Sequence, residues 1–322
     1  MAELRRDPLT GRWVILAPAR AARPHERRAT TADTAPDAAV DGCPFCPGHE
    51  RETPPELARR GTGAADGPGW TVRVIPNRYP IVQDFPRDNP TANDDLRQHR
   101  PAAGEHEVAV LSPDHHRSLA QLDDHQVLQV LLALQDRARA HAAAGYAYTQ
   151  VLVNHGAGGG ASLAHPHAQI VAIEISPPAV EEEIAHLAVD DGCVLCRELR
   201  RHDEDASLDV AGREARLWCP WWSSTAYELL LAPRQHGPRF EDAGPELEAV
   251  AATLRDGLSR LDRVLDDPPY NLIVHTLPPG RAEDYHWHIH IRPRLQQEAG
   301  FELGTGILIN TVDPAEAARR LR

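Results

Sequence analysis

One ordered set of motifs occurs twice along the 322-residue chain, and this repetition constrains the fold more than any other feature. Each half has a Cys-x-x-Cys pair, beginning at Cys43 and again at Cys193, and continues through a Leu-x-Pro landmark to a histidine. A further histidine follows 50 residues later, at His165 in the first half and at His286 in the second. Features repeated in the same order indicate an internal duplication, so we expect two similar units.

Apolar periodicity places the same order of elements in each unit. Helical spacing predicts helices over residues 123–144 and 245–265. Short extended runs predict strands over residues 70–75, 108–111, 148–153, 227–231 and 272–274. Turn-forming residues predict loops at 29–41 and 84–104.

Composition excludes several classes of function. A formal net charge of -13 argues against a nucleic-acid partner, because binding a phosphate backbone requires a basic surface. All 34 basic residues are arginines, which excludes both a Schiff-base lysine and a P-loop lysine. The sequence has no apolar run of the ~18 residues that span a bilayer, and five cysteines fit reduced thiols better than a secreted disulfide framework. We therefore expect a cytoplasmic protein with no membrane segment.

Each unit offers two cysteines and two histidines, which is a suitable ligand set for tetrahedral zinc. The first set is Cys43, Cys46, His115 and His165, and the second is Cys193, Cys196, His236 and His286. His116 competes with His115, because counting from the Leu-x-Pro landmark favours His116 whereas the 50-residue span favours His115. The alternative for each cysteine pair is two buried apolar side chains or a redox pair. Four protein ligands leave no open position, so these metals would be structural.

The segment from His165 to Gln169, His-Pro-His-Ala-Gln, carries the candidate chemistry. In an extended segment alternate residues share a face, which points His165, His167 and Gln169 one way and Ile170 and Ala172 toward the core. A neutral imidazole is a nucleophile for phosphorus, and His167 lies centrally, so we expect His167 to be the nucleophile. The alternative is a polar strand whose histidines only make structural hydrogen bonds.

A glycine-rich stretch precedes this segment and suits phosphate binding through main-chain N–H groups and a hydroxyl. Its residues are Gly156, Gly158, Gly159, Gly160 and Ser162, with Asn154 at the end of the preceding strand. The alternative is an ordinary surface loop. The remaining histidines, among them His141, His186 and His202, are expected to be solvated and without function.

These motifs together resemble the galactose-1-phosphate uridylyltransferase family of the histidine-triad superfamily, over essentially the whole chain. The motifs that carry the resemblance are Asp7-Pro8-Leu9-Thr10-Gly11-Arg12-Trp13-Val14, Arg20-Ala21-Ala22-Arg23-Pro24, Cys43-Pro44-Phe45-Cys46, Pro76-Asn77-Arg78-Tyr79-Pro80, Ser112-Pro113-Asp114-His115 and His165-Pro166-His167-Ala168-Gln169. The family pattern places the metal histidine two residues after the proline of Ser-Pro-Asp-His, which selects His115 over His116.

The resemblance implies an α+β fold of two tandem histidine-triad-like domains, each an antiparallel sheet with packed helices. We expect a catalytic domain over residues 1–176 and a second domain over 177–322. It further implies a homodimer with sites near the subunit interface, and zinc in one or both Cys/His sets.

The resemblance also implies ping-pong chemistry, in which His167 attacks the α-phosphorus of UDP-glucose and the UMP is then transferred to galactose 1-phosphate. Gln169 and Ser162 would act with His167 on the phosphate. The substrate-binding residues carried over by position are Arg20, Arg23, Asn77, Asn154, Gly160 and Phe301. The partners are thus a nucleotide sugar and a sugar phosphate.

The C-terminal segment departs from the family pattern. Gly306 stands where uridylyltransferases carry a glutamate, and Val312 stands where they carry a glutamine that contacts the hexose. Loss of two polar contacts affects discrimination among hydroxyls, and this tail is closer to relatives that act as ADP-glucose phosphorylases. The second cysteine pair is similar to that of the two-zinc members.

The sequence therefore leaves alternatives beside the uridylyltransferase hypothesis. An ADP-sugar phosphorylase or adenylyltransferase would use the same His167. A non-catalytic zinc- and nucleotide-binding protein would keep the fold without needing an aligned nucleophile. A histidine-triad hydrolase is disfavoured by Gln169, because such hydrolases usually have a third histidine there.

Overall fold

The computed structural model describes residues 2–6, 13–16, 42–84, 96–187 and 192–322. Its strands are β1 Glu3–Arg6, β2 Trp13–Leu16, β3 Ala58–Gly61, β4 Trp70–Pro76, β5 His99–Pro101, β6 Gly104–Val110, β7 Tyr148–His155, β8 His167–Ile173, β9 Asp209–Ala211, β10 Ala215–Trp218, β11 Leu229–Pro233, β12 Tyr270–His275 and β13 His288–Pro293. Its helices are α1 Asp124–Ala143, α2 Pro178–Leu187, α3 Val194–Glu204, α4 Glu246–Leu265, α5 Gly300–Thr305 and α6 Pro314–Leu321.

Ten strands form one sheet in the order β3-β4-β6-β8-β7-β12-β13-β11-β10-β9, and every pairing in it is antiparallel. Read from either edge, the order is the same: each half contributes five strands whose chain order along the sheet is first, second, third, fifth, fourth. This symmetry confirms the duplication and the α+β class with two histidine-triad-like units. The units meet through β7 and β12, where Asn154 pairs with Asn271. β1, β2 and β5 form a separate small sheet.

The two long helices, α1 and α4, pack on one face of this sheet. The Asp123 side chain caps α1 by accepting a hydrogen bond from the main-chain N–H of Gln126, and apolar residues at helical spacing make the buried side. In α4, Gly257 permits close approach to the sheet, because a Cβ there would lie 2.1 Å from Leu217 Cδ2. The core formed in this way includes the side chains of Ala168 and Ile170.

Alternation along the strands directs the neighbouring side chains to the opposite face. Ala168 and Ile170 belong to the helix-covered core, so His167 and Gln169 project from the opposite face of the sheet. On the paired strand β6, Val108 and Val110 project from that same face. α2 and α3 cover this second face in the other half of the molecule. The sheet therefore separates a structural face from the face that carries the polar clusters.

The predicted helices and strands are confirmed within a few residues, and the expected loop over 29–41 lies outside the described residues. Within the expected loop over 84–104, residues 96–104 are described and contain strand β5, which pairs with β1. The elements that were not predicted are α2, α3, α5, α6 and strands β1, β2, β3, β9, β10 and β13. α6 is short but has a strong start, because Asp313 caps it and Pro314 occupies its first turn. None of the helices in the described residues combines the length and apolar composition needed to cross a lipid bilayer.

Candidate functional site

A cluster of two cysteines and two histidines lies near the N-terminal end of β8. Its members are Cys43, Cys46, His115 and His165, and one donor atom of each lies within 4.8 Å of the others. The Sγ atom of Cys46 is 3.4 Å from Nδ1 of His115 and 3.7 Å from Nδ1 of His165. Zinc bonded to sulfur at ~2.3 Å and to nitrogen at ~2.05 Å in a tetrahedron separates the two donors by about 3.6 Å. The geometry and the donor chemistry therefore both fit a metal of the zinc type.

The ring of His165 is oriented for metal binding by its second nitrogen. Its Nε2 donates to the main-chain carbonyl of Ser112 at 2.8 Å, which leaves Nδ1 without a proton and aimed at the cysteines. Burial lowers the pKa of His165 to about 4, so the ring is neutral at pH 7. The cluster contains His115, whereas His116 is exposed, so the structure favours the candidate ligand given by the 50-residue span over the one given by the Leu-x-Pro count.

The second cluster repeats this arrangement with Cys193, Cys196, His236 and His286. Cys196 Sγ is 3.3 Å from Nδ1 of His236 and 3.4 Å from Nδ1 of His286. Nε2 of His286 donates to the carbonyl of Pro233 at 2.9 Å, 53 residues earlier, and the His165–Ser112 bond spans the same 53 residues. Both predicted ligand sets are thus assembled.

His167 begins β8, and its ring is fixed by the chain just before it. Nδ1 donates to the main-chain carbonyl of His165 at 2.9 Å, which in the neutral ring places the lone pair on Nε2. The ring lines a cavity of about 250 Å³ together with Asn77, Ser162 and Gln169. His165 precedes the strand, and its Nδ1 lies beside the sulfur of Cys46, so it belongs to the cysteine cluster and is not among the residues that line this cavity.

The glycine-rich stretch forms a tight turn against the other unit. A Cβ on Gly159 would lie 2.7 Å from the Tyr270 carbonyl oxygen, so only glycine fits there. Gly160 has a left-handed backbone, with φ of 88°. Asn154 accepts a hydrogen bond from Asn271 at 2.8 Å and lines a small cavity that also touches His167.

Two other groups of predicted residues are placed differently. Arg20 and Arg23 lie outside the described residues. Phe301 is on α5 with 53% of its surface exposed, and the residues that line the cavity of His167 do not include it. Its predicted substrate contact stays a prediction.

His106 is a residue of the site that the sequence did not single out. It is buried on β6, and its Nε2 lies 2.9 Å from Oε1 of Gln169 and 3.0 Å from Nδ2 of Asn77. An alternating pattern over residues 104–110 places its side chain on the same face as Val108 and Val110, which was the available signal.

A third polar cluster occupies the position in the second unit that the cavity occupies in the first. Glu183, His275, His288 and His290 bring donor atoms within 4.8 Å of one another, a set that could hold a metal. His288 is the counterpart of His167, and its Nδ1 likewise donates to the carbonyl two residues earlier, at 2.8 Å. Its Nε2, however, lies 3.0 Å from Glu183 Oε1. Burial alone would raise the pKa of Glu183, but hydrogen bonds from His275 and His288 lower it below its ordinary range.

Two histidines expected at the surface are buried. His141 is 1% exposed and its Nε2 lies 2.9 Å from Glu107, and His202 is 4% exposed beside Asp209. The expectation was wrong, and for His141 the reason is that Glu107 on a neighbouring strand replaces the lost water, which a single sequence does not reveal. His186 is exposed as expected.

Comparisons with known proteins agree with this architecture. A family model described as galactose-1-phosphate uridyl transferase, N-terminal domain, matches residues 1–177. ADP-glucose phosphorylase of Arabidopsis thaliana is 32% identical over 336 residues, covering 99% of this chain and 92% of the relative. Galactose-1-phosphate uridylyltransferase of Thermotoga maritima is 27% identical over 339 residues, covering 100% and 98%.

Solved structures give the same result over the full chain. A uridylyltransferase superposes with a TM-score of 0.80 at 28% identity, covering 99% of this chain and 97% of that one. An ADP-glucose phosphorylase from Arabidopsis thaliana with bound ADP-glucose superposes with a TM-score of 0.77 at 30% identity, covering 100% and 98%.

Proposed function

Because the chain belongs to the galactose-1-phosphate uridylyltransferase family and is a nucleotidyltransferase, we propose that it moves UMP between UDP-glucose and a hexose 1-phosphate through a covalent intermediate on His167. The observation that carries this proposal is the bond from His167 Nδ1 to the His165 carbonyl, with the ring at the wall of a cavity. A ring held in this way presents an unprotonated Nε2 without needing a separate base.

In the proposed first half-reaction, the Nε2 lone pair attacks the phosphorus that carries the nucleoside. The bond from that phosphorus to the bridging oxygen breaks, and the sugar 1-phosphate leaves with the electron pair. In the second half-reaction, a phosphate oxygen of the acceptor attacks the same phosphorus and the N–P bond breaks. The ring is neutral again at the end, so no net proton is consumed by His167.

The remaining groups of the cavity would stabilise the charge on the transferred phosphate. Gln169 and Ser162 are nearly buried and line the cavity beside His167, so an amide N–H and a hydroxyl donate without a large reorganisation. Gly160 and Asn154 lie at the adjoining turn and would complete the phosphate contacts. Asn77 lines the cavity on the side where the nucleotide would bind, with Arg20 and Arg23 as further proposed contacts.

A second candidate is phosphorolysis of an ADP-sugar through the same His167, and two observations favour it. The ADP-glucose phosphorylase relative is 32% identical, and one of the superposed structures contains ADP-glucose. Gly306 and Val312 also replace the two polar residues that the uridylyltransferase pattern places near the hexose. The two candidates differ in base and acceptor and share the nucleophile.

We propose zinc as the metal of both Cys/His clusters. Two thiolates and two imidazoles suit zinc, and four protein ligands leave no position for substrate, so each ion would brace its loop. In the first cluster the brace acts on His165, whose carbonyl in turn holds His167. The thiolate ligands require reduced cysteines, which supports the proposed cytoplasmic location.

We further propose a homodimer and a boundary between the units at residues 176 and 177. The dimer is supported by the apolar side chains that α5 and the following segment expose, including Phe301, Leu303 and Ile307. Phe301 would reach substrate in the partner's site.

The decisive experiment uses UDP-glucose and ADP-glucose, each carrying ³²P in the phosphate next to the nucleoside. Acid-labile label on the protein from UDP-glucose, discharged by galactose 1-phosphate, supports uridylyl transfer. Label from ADP-glucose, discharged by orthophosphate, supports the second candidate. Absence of label from both donors refutes covalent nucleotidyl transfer.

A further inference from the structure

His106 lies between Asn77 and Gln169, two residues to which the proposed reaction assigns a role. It is 5% exposed, and because it pairs with Val171 across β6 and β8 it lies diagonally beside Gln169. Its Nδ1 lies 3.2 Å from the main-chain nitrogen of Ile81, and its Nε2 lies 2.9 Å from Gln169 Oε1. Each ring nitrogen thus faces a polar atom of a different segment.

These contacts determine the tautomer of the ring. The Ile81 main-chain nitrogen is a donor, so Nδ1 of His106 accepts and carries no proton. A neutral imidazole then has its proton on Nε2, which donates to Gln169 Oε1. The Nδ2 atom of Asn77, 3.0 Å from the same ring nitrogen, is itself a donor and takes no part in this bond.

The orientation of the Gln169 amide follows from the tautomer. With its oxygen held by His106, the amide presents its NH₂ group to the cavity, where it donates to an anion. The opposite orientation would aim the amide oxygen at the negatively charged phosphate. We propose, on the basis of the proposed function, that His106 is a positioning residue that keeps Gln169 as a hydrogen-bond donor to the transferred phosphate.

The test uses the nucleotide sugar that labels the wild-type protein. For each variant we measure the single-turnover rate at which the chain acquires this label and compare it with the wild-type rate. His106→Phe keeps a ring of similar size and removes both nitrogens. We expect the labelling rate to fall about 10- to 100-fold, at or below the lower end of the ~100- to 1,000-fold range for loss of one oriented donor, while the half-saturating donor concentration changes less than about threefold. His106→Gln, whose terminal amide reaches the Nε2 position, is expected to recover at least part of the rate.

A double-mutant cycle separates positioning from a merely structural role. If His106 acts through Gln169, then Gln169→Ala and the double variant His106→Phe/Gln169→Ala label at nearly the same rate. Multiplicative losses in the double variant, or wild-type labelling by His106→Phe, would overturn the inference. Should His106→Phe not fold, His106→Asn serves in its place, because its amide ends near the Nδ1 position and cannot reach Gln169.

The two proposals fail differently. Absence of label on the wild-type chain from every nucleotide sugar refutes the proposed function and, with it, this inference. Label on wild type together with an unaffected His106→Phe refutes the positioning role alone.

Discussion

The Nε2 atom of His288 lies 3.0 Å from Oε1 of Glu183, while the ring of His167, its counterpart, lines a cavity. Each histidine is the last residue of a His-x-His segment, and its Nδ1 donates to the main-chain carbonyl of the first histidine of that segment. The duplicated backbone therefore orients the two rings alike. The difference between the units is therefore made by the side chains around the ring. In one unit this histidine lines a cavity, and in the other it belongs to a polar cluster with Glu183.

This difference predicts that His288 does not accept the nucleotide. We expect His288→Asn to acquire label at a rate within about threefold of wild type, because its ring is remote from the transfer step. The unfolding free energy should fall by about 2 kcal/mol, since the half-buried Glu183 carboxylate loses a hydrogen-bond partner. Single-turnover labelling and urea unfolding measure the two effects. Loss of labelling in a folded variant would contradict the account.

The two metal clusters should contribute unequally to activity. Cys46→Ala and Cys196→Ala are each expected to lower bound zinc from about two ions per chain to about one, because each removes one thiolate ligand. Cys46→Ala should also slow labelling at least about 10-fold, since that cluster holds His165 and thereby His167. Cys196→Ala should slow it less.

Mass-spectrometric metal analysis with parallel labelling measures both quantities. Cys219→Ala is the matched control, because Cys219 is buried and belongs to neither cluster. Equal loss of activity in both cluster variants would contradict the proposed link from the first metal to the nucleophile.

Ser162 should assist the reaction without determining binding. Ser162→Ala removes one hydroxyl from the cavity wall beside His167. Loss of a donor that acts on the transferred phosphate is expected to lower kcat about 10- to 100-fold with little change in KM. Steady-state kinetics with the accepted donor test this, with Ser207→Ala, near β9, as a control. A rise in KM at unchanged kcat would assign Ser162 to ground-state binding instead.

The buried pair of Glu107 and Arg137 should link stability to pH. Burial alone would raise the pKa of Glu107, but hydrogen bonds from His141 and Arg137 lower it below its ordinary value of 4.5. A carboxyl with a lowered pKa stabilises the fold above the unfolded value and loses that contribution as the pH falls below about 4.5. Glu107→Gln should therefore be less stable by about 2 kcal/mol at pH 7 and should lose part of the wild-type acid dependence.

Urea unfolding at pH 7 and at pH 4 measures this difference. Glu105→Gln, at a more exposed carboxyl of the same strand, is the control and should change stability by less than about 1 kcal/mol. An unchanged pH dependence in Glu107→Gln would contradict the assignment.

The duplication made much of the fold accessible from the sequence. Matching spans of 50 residues predicted His115 as a candidate ligand where the local landmark favoured His116, and the structure places His115 in the cysteine cluster. Strand and helix positions followed from periodicity because one face of each element is apolar. α2 and α3 were missed because they are short.

The parts of the site that sequence reasoning missed depend on contacts between distant segments. His106 and Gln169 are 63 residues apart, and Glu183 and His275 are 92 apart. His106, Glu183 and His275 each look like ordinary polar residues within their own segments. The register of β6 and β8 brings His106 to Gln169, and the packing of α2 on the sheet brings Glu183 to His275. His141 was misjudged for the same reason, since its partner Glu107 lies on another element.

The most direct test of the account is to locate the covalent nucleotide. Wild-type protein labelled by its nucleotide-sugar donor should yield one acid-labile labelled peptide containing His167, and His167→Gly should acquire no label. His186→Gly, which alters an exposed histidine on α2, should be labelled like wild type. Label that persists in a folded His167→Gly chain, or that maps to another residue in wild type, would contradict the central claim.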